Sequence, residues 1–202
     1  MIETGGSFAA QTFTFTSGTL TVDGALDTGV GVTTRITGGT LNGTGLINGD
    51  TFMGGGPTTA VFAPGHSPGQ FTVNGALTLG AMSELALQVE RGADGSLASD
   101  RVSASSISFL DGSTVHFLVG GGVAGASPQT LSFLDCGGGC SYGTQVRWII
   151  DGAPGSTITF GSNGLSLTVA ALLPVPEVAT WVMWLTGLVG LGTAVSKGRR
   201  PR

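Results

Sequence analysis

One short phrase, met twice, constrains this chain more than any other feature. Thr-Val-Asp-Gly-Ala-Leu at Thr21 to Leu26 returns as Thr-Val-Asn-Gly-Ala-Leu at Thr72 to Leu77. Both copies sit inside longer look-alikes: GTLTVDGALDTG from Gly18, GGTLNGTGLING from Gly38 and GQFTVNGALTLG from Gly69. Each reads as a short alternating strand, a turn on Asp-Gly or Asn-Gly, and a second short strand. SISFLDGSTVHFLVG, from Ser106 to Gly120, keeps the style without the words. A unit this small buries its apolar residues only by stacking on the next, and recurrence every 20–30 residues or so is the signature of a solenoid. The expectation is an all-β body over residues 1–172, folded as a parallel β-helix. Alternation places Leu20, Val22, Phe71, Val73, Leu77 and Leu79 inward, with Thr and Asn outward. The alternative is a β-sandwich, in which the same Asp-Gly and Asn-Gly pairs close antiparallel hairpins.

Composition excludes other classes. The 37 glycines follow no three-residue period, which rules out collagen. A chain 41% hydrophobic and only 10% charged is not an intrinsically disordered one. Four of the 8 basic residues crowd into the last six positions, leaving the body Arg35, Arg91, Arg101 and Arg147 against nearly all of the 12 acidic residues. Such a body repels phosphate backbones, so nucleic acid is not an expected partner. The two cysteines, Cys136 and Cys140, bracket three glycines. In an oxidising compartment they can close a small disulfide loop; free thiols and a metal shared with His66 or His116 are the alternatives.

The last 30 residues form a separate region, 173–202. Val178 to Val195 reads VATWVMWLTGLVGLGTAV without a charge, long enough to span a bilayer as a helix. Trp181 and Trp184 lie near one end, and Lys197, Arg199, Arg200 and Arg202 follow the other. The positive-inside rule then puts the C-terminus in the cytoplasm and the body outside. Thr186, Gly190 and Ala194 fall on a small-xxx-small pattern that lets helices approach closely. Pro176-Glu177-Val178-Ala179-Thr180-Trp181, the apolar segment and the basic end, in that order, resemble the PEP-CTERM sorting tail of Gram-negative bacteria. The resemblance covers about the last 27 residues and departs from the family where Val178 replaces the second proline. It implies recognition by an exosortase-type membrane enzyme, anchorage in the inner membrane before processing, and a cell-surface or extracellular-matrix destination linked to exopolysaccharide. MIETGGSFAAQTFTF, at the other end, has neither the basic nor the apolar part of an export signal. For an exported chain this predicts a truncated or mis-set start, or a fragment of a longer gene without independent function.

A second resemblance concerns the body. APGHSPGQFTVNGALTLGAMSELALQV from Ala63 to Val89, followed by Ser99-Asp100-Arg101-Val102, is similar to the C-terminal passenger repeats of autotransporters and related β-helical adhesins. It spans roughly 40 residues and implies a β-helical, adhesive body.

Chemistry-bearing motifs are few. Gly65-His66-Ser67-Pro68-Gly69 matches the G-x-S-x-G nucleophile elbow, but the residue after the serine must lend an N–H to the oxyanion hole. Pro68 has none. β-Helical polysaccharide lyases and hydrolases group carboxylates or a basic residue on one face. Asp94, Asp100, Arg101, Asp111 and His116 are the only loose set available, and Asp100 and Asp111 lie where Asp holds turns. Gly92-Ala93-Asp94-Gly95 lacks the repeated pattern of a calcium-binding turn. No catalytic residue, cofactor or metal site is therefore predicted. The expected role is structural or adhesive, at the envelope, with matrix glycans as partners; a polysaccharide-degrading enzyme is the alternative.

Overall fold

The computed structural model describes residues 1–29, 31–66, 68–91, 96–120 and 128–170. The sorting motif, the apolar segment and the basic end, as well as Ser67 and Asp94, lie outside the described residues.

The described chain is all-β and runs through successive rungs. The first holds β1 (Ser7–Ala9), β2 (Thr14–Phe15) and β3 (Thr19–Thr21); the second β4 (Ala25–Asp27), β5 (Thr33–Ile36) and β6 (Gly39–Gly43). The third holds β7 (Leu46–Asn48), β8 (Asp50–Met53) and β9 (Ala60–Pro64). In the fourth, the first two strands fuse into β10 (Gln70–Leu79) before β11 (Ser83–Arg91), onto which β12 (Leu97–Ser99) folds back antiparallel. The fifth repeats the fusion with β13 (Arg101–Phe109) and β14 (Thr114–Val119). After β15 (Gln129–Ser132), the sixth holds β16 (Leu134–Cys136), β17 (Cys140–Tyr142) and β18 (Arg147–Asp151), and β19 (Thr157–Gly161) and β20 (Gly164–Val169) follow.

Corresponding strands pair in parallel from rung to rung. The first positions run β1-β4-β7-β10-β13-β16, the second β2-β5-β8-β10-β13-β17, the third β3-β6-β9-β11-β14-β18. This is an all-β architecture of parallel sheets, compatible with a β-helix or solenoid.

The register explains why the sequence stacks this way. Leu20, Leu41, Phe62, Leu85, Val115 and Trp148 align one above another on the third face. Leu26, Ile47, Val73, Ala104 and Cys136 do so on the first. Ile36, Met53, Leu79, Phe109 and Tyr142 do so on the second. All but Trp148 and Tyr142 are buried. A large apolar side chain removed from water contributes about 1.5–3 kcal/mol, so a slip of one residue, which turns a whole ladder outward, is strongly disfavoured. All six residues expected inward from alternation are buried.

The repeated phrase is out of phase with the rungs. Thr21 to Leu26 turns the corner from the third face to the first, whereas Thr72 to Leu77 turns the corner from the first to the second. Thr72 aligns with Leu46, which in turn aligns with Ala25. The phrase therefore encodes a corner, used at two different corners, and not one full rung. The flanking strands pair with neighbouring rungs and not with each other, so Asp23-Gly24 and Asn74-Gly75 do not close the hairpins a sandwich would need.

The last rung is covered by β15, β20 and β19, which pair antiparallel. The backbone N–H of Phe133, Cys136 and Cys140 donates to the carbonyls of Leu165, Asn163 and Ser162 at 2.9, 3.0 and 2.6 Å. Backbone groups that would otherwise template another strand are thereby paired. Phe109, Tyr142, Trp148 and Phe160 pack together there with centroid separations of 4.8–5.9 Å.

Candidate functional site

Outward positions of the first face form rows just as the inward ones do. Asp27, Asn48 and Asn74, one from each of three successive rungs, are partners in register. They stand where β4, β7 and the first half of β10 end and the chain turns toward the second face. The Asn74 Nδ2 donates to Asn48 Oδ1 at 2.8 Å, fixing the orientation of both amides. Beside this row, Asp50 opens β8 and accepts from the Ala76 N–H at 2.8 Å, while Asp27 Oδ1 accepts from the Gly29 N–H at 3.0 Å. Asp27, Asn48, Asp50 and Asn74, with the bare backbone of Gly49 and Gly75, line an open groove of about 500 Å³. Among the described residues no aromatic side chain and no basic one lines it.

A second hollow of about 490 Å³ lies at the opposite edge of the same face, lined in part by Ser7, Asp23, Thr44 and Thr72. Asp23 Oδ1 accepts from the Thr44 N–H at 3.0 Å and from His66 Nε2 at 2.8 Å. The Thr44 N–H above all, with the His66 hydrogen bond, outweighs burial and holds this carboxyl below its usual range.

The residues singled out from sequence occupy separate places. Asp100 is 1% exposed, and its two oxygens accept from the N–H groups of Gly69 at 2.9 Å and Gln88 at 2.8 Å. Burial pushes its pKa up. It ties Gly69 to β11. Asp111 accepts from the Gln145 N–H at 2.9 Å. His116 lies mid-face on β14, with Nδ1 3.2 Å from Glu84 and Nε2 2.7 Å from Asp151. Arg101 opens β13, in register with Gln70. Cys136 and Cys140 are joined as a disulfide, and both histidines have carboxylate partners elsewhere. Among the described residues no group of three or more His, Cys, Asp or Glu could hold a metal ion.

Sequence reasoning did not single out Asp27, Asn48, Asp50 or Asn74. Their signals are the outward placement of Asn by alternation and the glycine that follows Asn48 and Asn74 at a corner.

The chain matches no family model and no curated protein.

Proposed function

We propose that this chain is an exported structural or adhesive protein of the cell envelope, not an enzyme, whose body is a parallel β-helix presenting polar ladders to matrix glycans. The observation that carries this reading is the row Asp27, Asn48 and Asn74, one hydrogen-bonding side chain per rung beside an open groove. A repeated row of donors and acceptors suits a repeated polymer better than a single small molecule. The resemblance of residues 173–202 to an exosortase-processed tail supplies the destination: the inner membrane first, then the surface or the surrounding matrix. In this reading Pro176 to Trp181 form the recognition motif, the apolar segment spans the membrane, and Lys197, Arg199, Arg200 and Arg202 keep the end in the cytoplasm.

Fractionation tests the sorting half. Cells expressing the full chain behind an export signal are compared with cells expressing a chain cut before Pro176. A shortened product at the surface or in the medium, formed only when the tail is present, is expected. Intact protein lodged in the inner membrane would reduce the tail to an anchor.

A further inference from the structure

We infer that the groove beside Asp27, Asn48 and Asn74 takes a neutral or amine-bearing linear glycan and rejects polyuronates. The inference rests on the adhesive reading above and adds the chemical class of the ligand. Asp27 and Asp50 each commit Oδ1 to a backbone N–H, of Gly29 and Ala76 respectively. The remaining oxygen of each is left to accept from the groove. A carboxylate oxygen accepts from a sugar hydroxyl, and more strongly from an ammonium group. Asn48 and Asn74 add amide donors and acceptors, oriented by their mutual hydrogen bond. A hydroxyl-rich polymer needs both kinds of group, and the groove has both.

Charge decides the class. Among the described residues no Lys or Arg lines the groove, so a row of ligand carboxylates would meet like charge there. On the adjoining face Arg35 holds its guanidinium over the Phe52 ring, 5.2 Å from the centroid. The neighbouring hollow contributes another carboxylate, Asp23. Spacing favours a polymer lying across the rungs, because successive strands repeat every 4.7–4.9 Å or so. Neighbouring rungs stand in close contact at this corner. A Cβ at Gly75 would strike the Gly49 carbonyl, and one at Gly49 would strike the Thr28 hydroxyl.

The test uses the full chain in detergent, with chelator present, against three immobilised probes: a neutral β-glucan, a glucosamine polymer and polygalacturonate. Binding to the first two and not to the third is expected, with the glucosamine polymer weakened by salt. Asn48→Ala with Asn74→Ala should weaken neutral-polymer binding about tenfold or more, the loss of one or two bonds. Asp27→Asn with Asp50→Asn, both exposed positions, should cut glucosamine-polymer binding several-fold and admit polygalacturonate; unchanged melting temperatures show that either pair still folds. Equal binding of polygalacturonate by the unaltered chain, or its binding only when calcium replaces chelator, would overturn the charge selection while leaving adhesion intact. Neutral-polymer binding indifferent to the asparagine pair would overturn the groove. Binding to none of the three would overturn the adhesive reading beneath both.

Discussion

His116 Nε2 lies 2.7 Å from Asp151 Oδ2, and the opposite ring nitrogen lies 3.2 Å from Glu84, so one imidazole clasps three neighbouring parallel strands. Both contacts are hydrogen bonds only when both ring nitrogens carry protons, which requires the imidazolium. Burial pulls the pKa of His116 down, but the bonds to Asp151 and Glu84 together outweigh it and hold the group above its ordinary value.

A pKa raised in the folded state gives stability that is complete below the unfolded value, about 6.5, and is lost as pH rises through the folded one. Melting temperature should therefore fall from neutral pH upward, by a contribution on the order of 1 kcal/mol for so partly exposed a cluster. His116→Gln should flatten that slope and lower stability at acid pH. A slope unchanged in the variant would assign the pH dependence to another group.

Thr51 is 1% exposed, stacked in register between Thr34 and Leu77, and its hydroxyl finds no hydrogen-bond partner among the described residues. Thr51→Val keeps the shape and removes the uncompensated polar atom. Stability is expected to rise by about 1 kcal/mol, read by denaturant unfolding. Thr34→Val should gain less, because the Thr34 hydroxyl already pairs with that of Thr28 at 3.3 Å.

Asp100 has the opposite character. Asp100→Ala orphans the N–H groups of Gly69 and Gln88, at a cost on the order of 1–3 kcal/mol each. Asp100→Asn should also destabilise, since its amide nitrogen must face one of those two donors. Faster proteolysis near Gly69 would accompany both.

The Cys136–Cys140 bond closes a small loop at the corner of the last rung, with Cys136 fully buried. Loop entropy for so short a ring gives about 2 kcal/mol. Reduction, or serine at both positions, should lower the melting temperature accordingly and leave the β-sheet circular dichroism signal unchanged.

The inward ladders were legible in the sequence because alternation is a local property: Phe71, Val73, Leu77 and Leu79 declare their face within ten residues. The phase of the rungs was not. Thr21 to Leu26 and Thr72 to Leu77 look like the same place in successive repeats, yet they turn different corners, because an Asp-Gly or Asn-Gly bend serves wherever two faces meet. The groove was hidden for a related reason. Asp27, Asn48 and Asn74 meet only through register, and connecting segments of unequal length leave that register unmarked in the chain. The clasp of Glu84, His116 and Asp151 depends on two strand pairings in the same way. Antiparallel β15, β20 and β19 carry alternation indistinguishable from that of the rungs they cover.

The most direct measurement follows the full chain, expressed behind an export signal, into the matrix of the producing cells. Wild type and the Asn48→Ala, Asn74→Ala pair are compared by the share of shortened protein held in the matrix against that free in the medium. Wild type retained and the variant released is the expected result. Equal partition of the two, or wild type found only intact in the inner membrane, would contradict a sorted, glycan-holding surface protein.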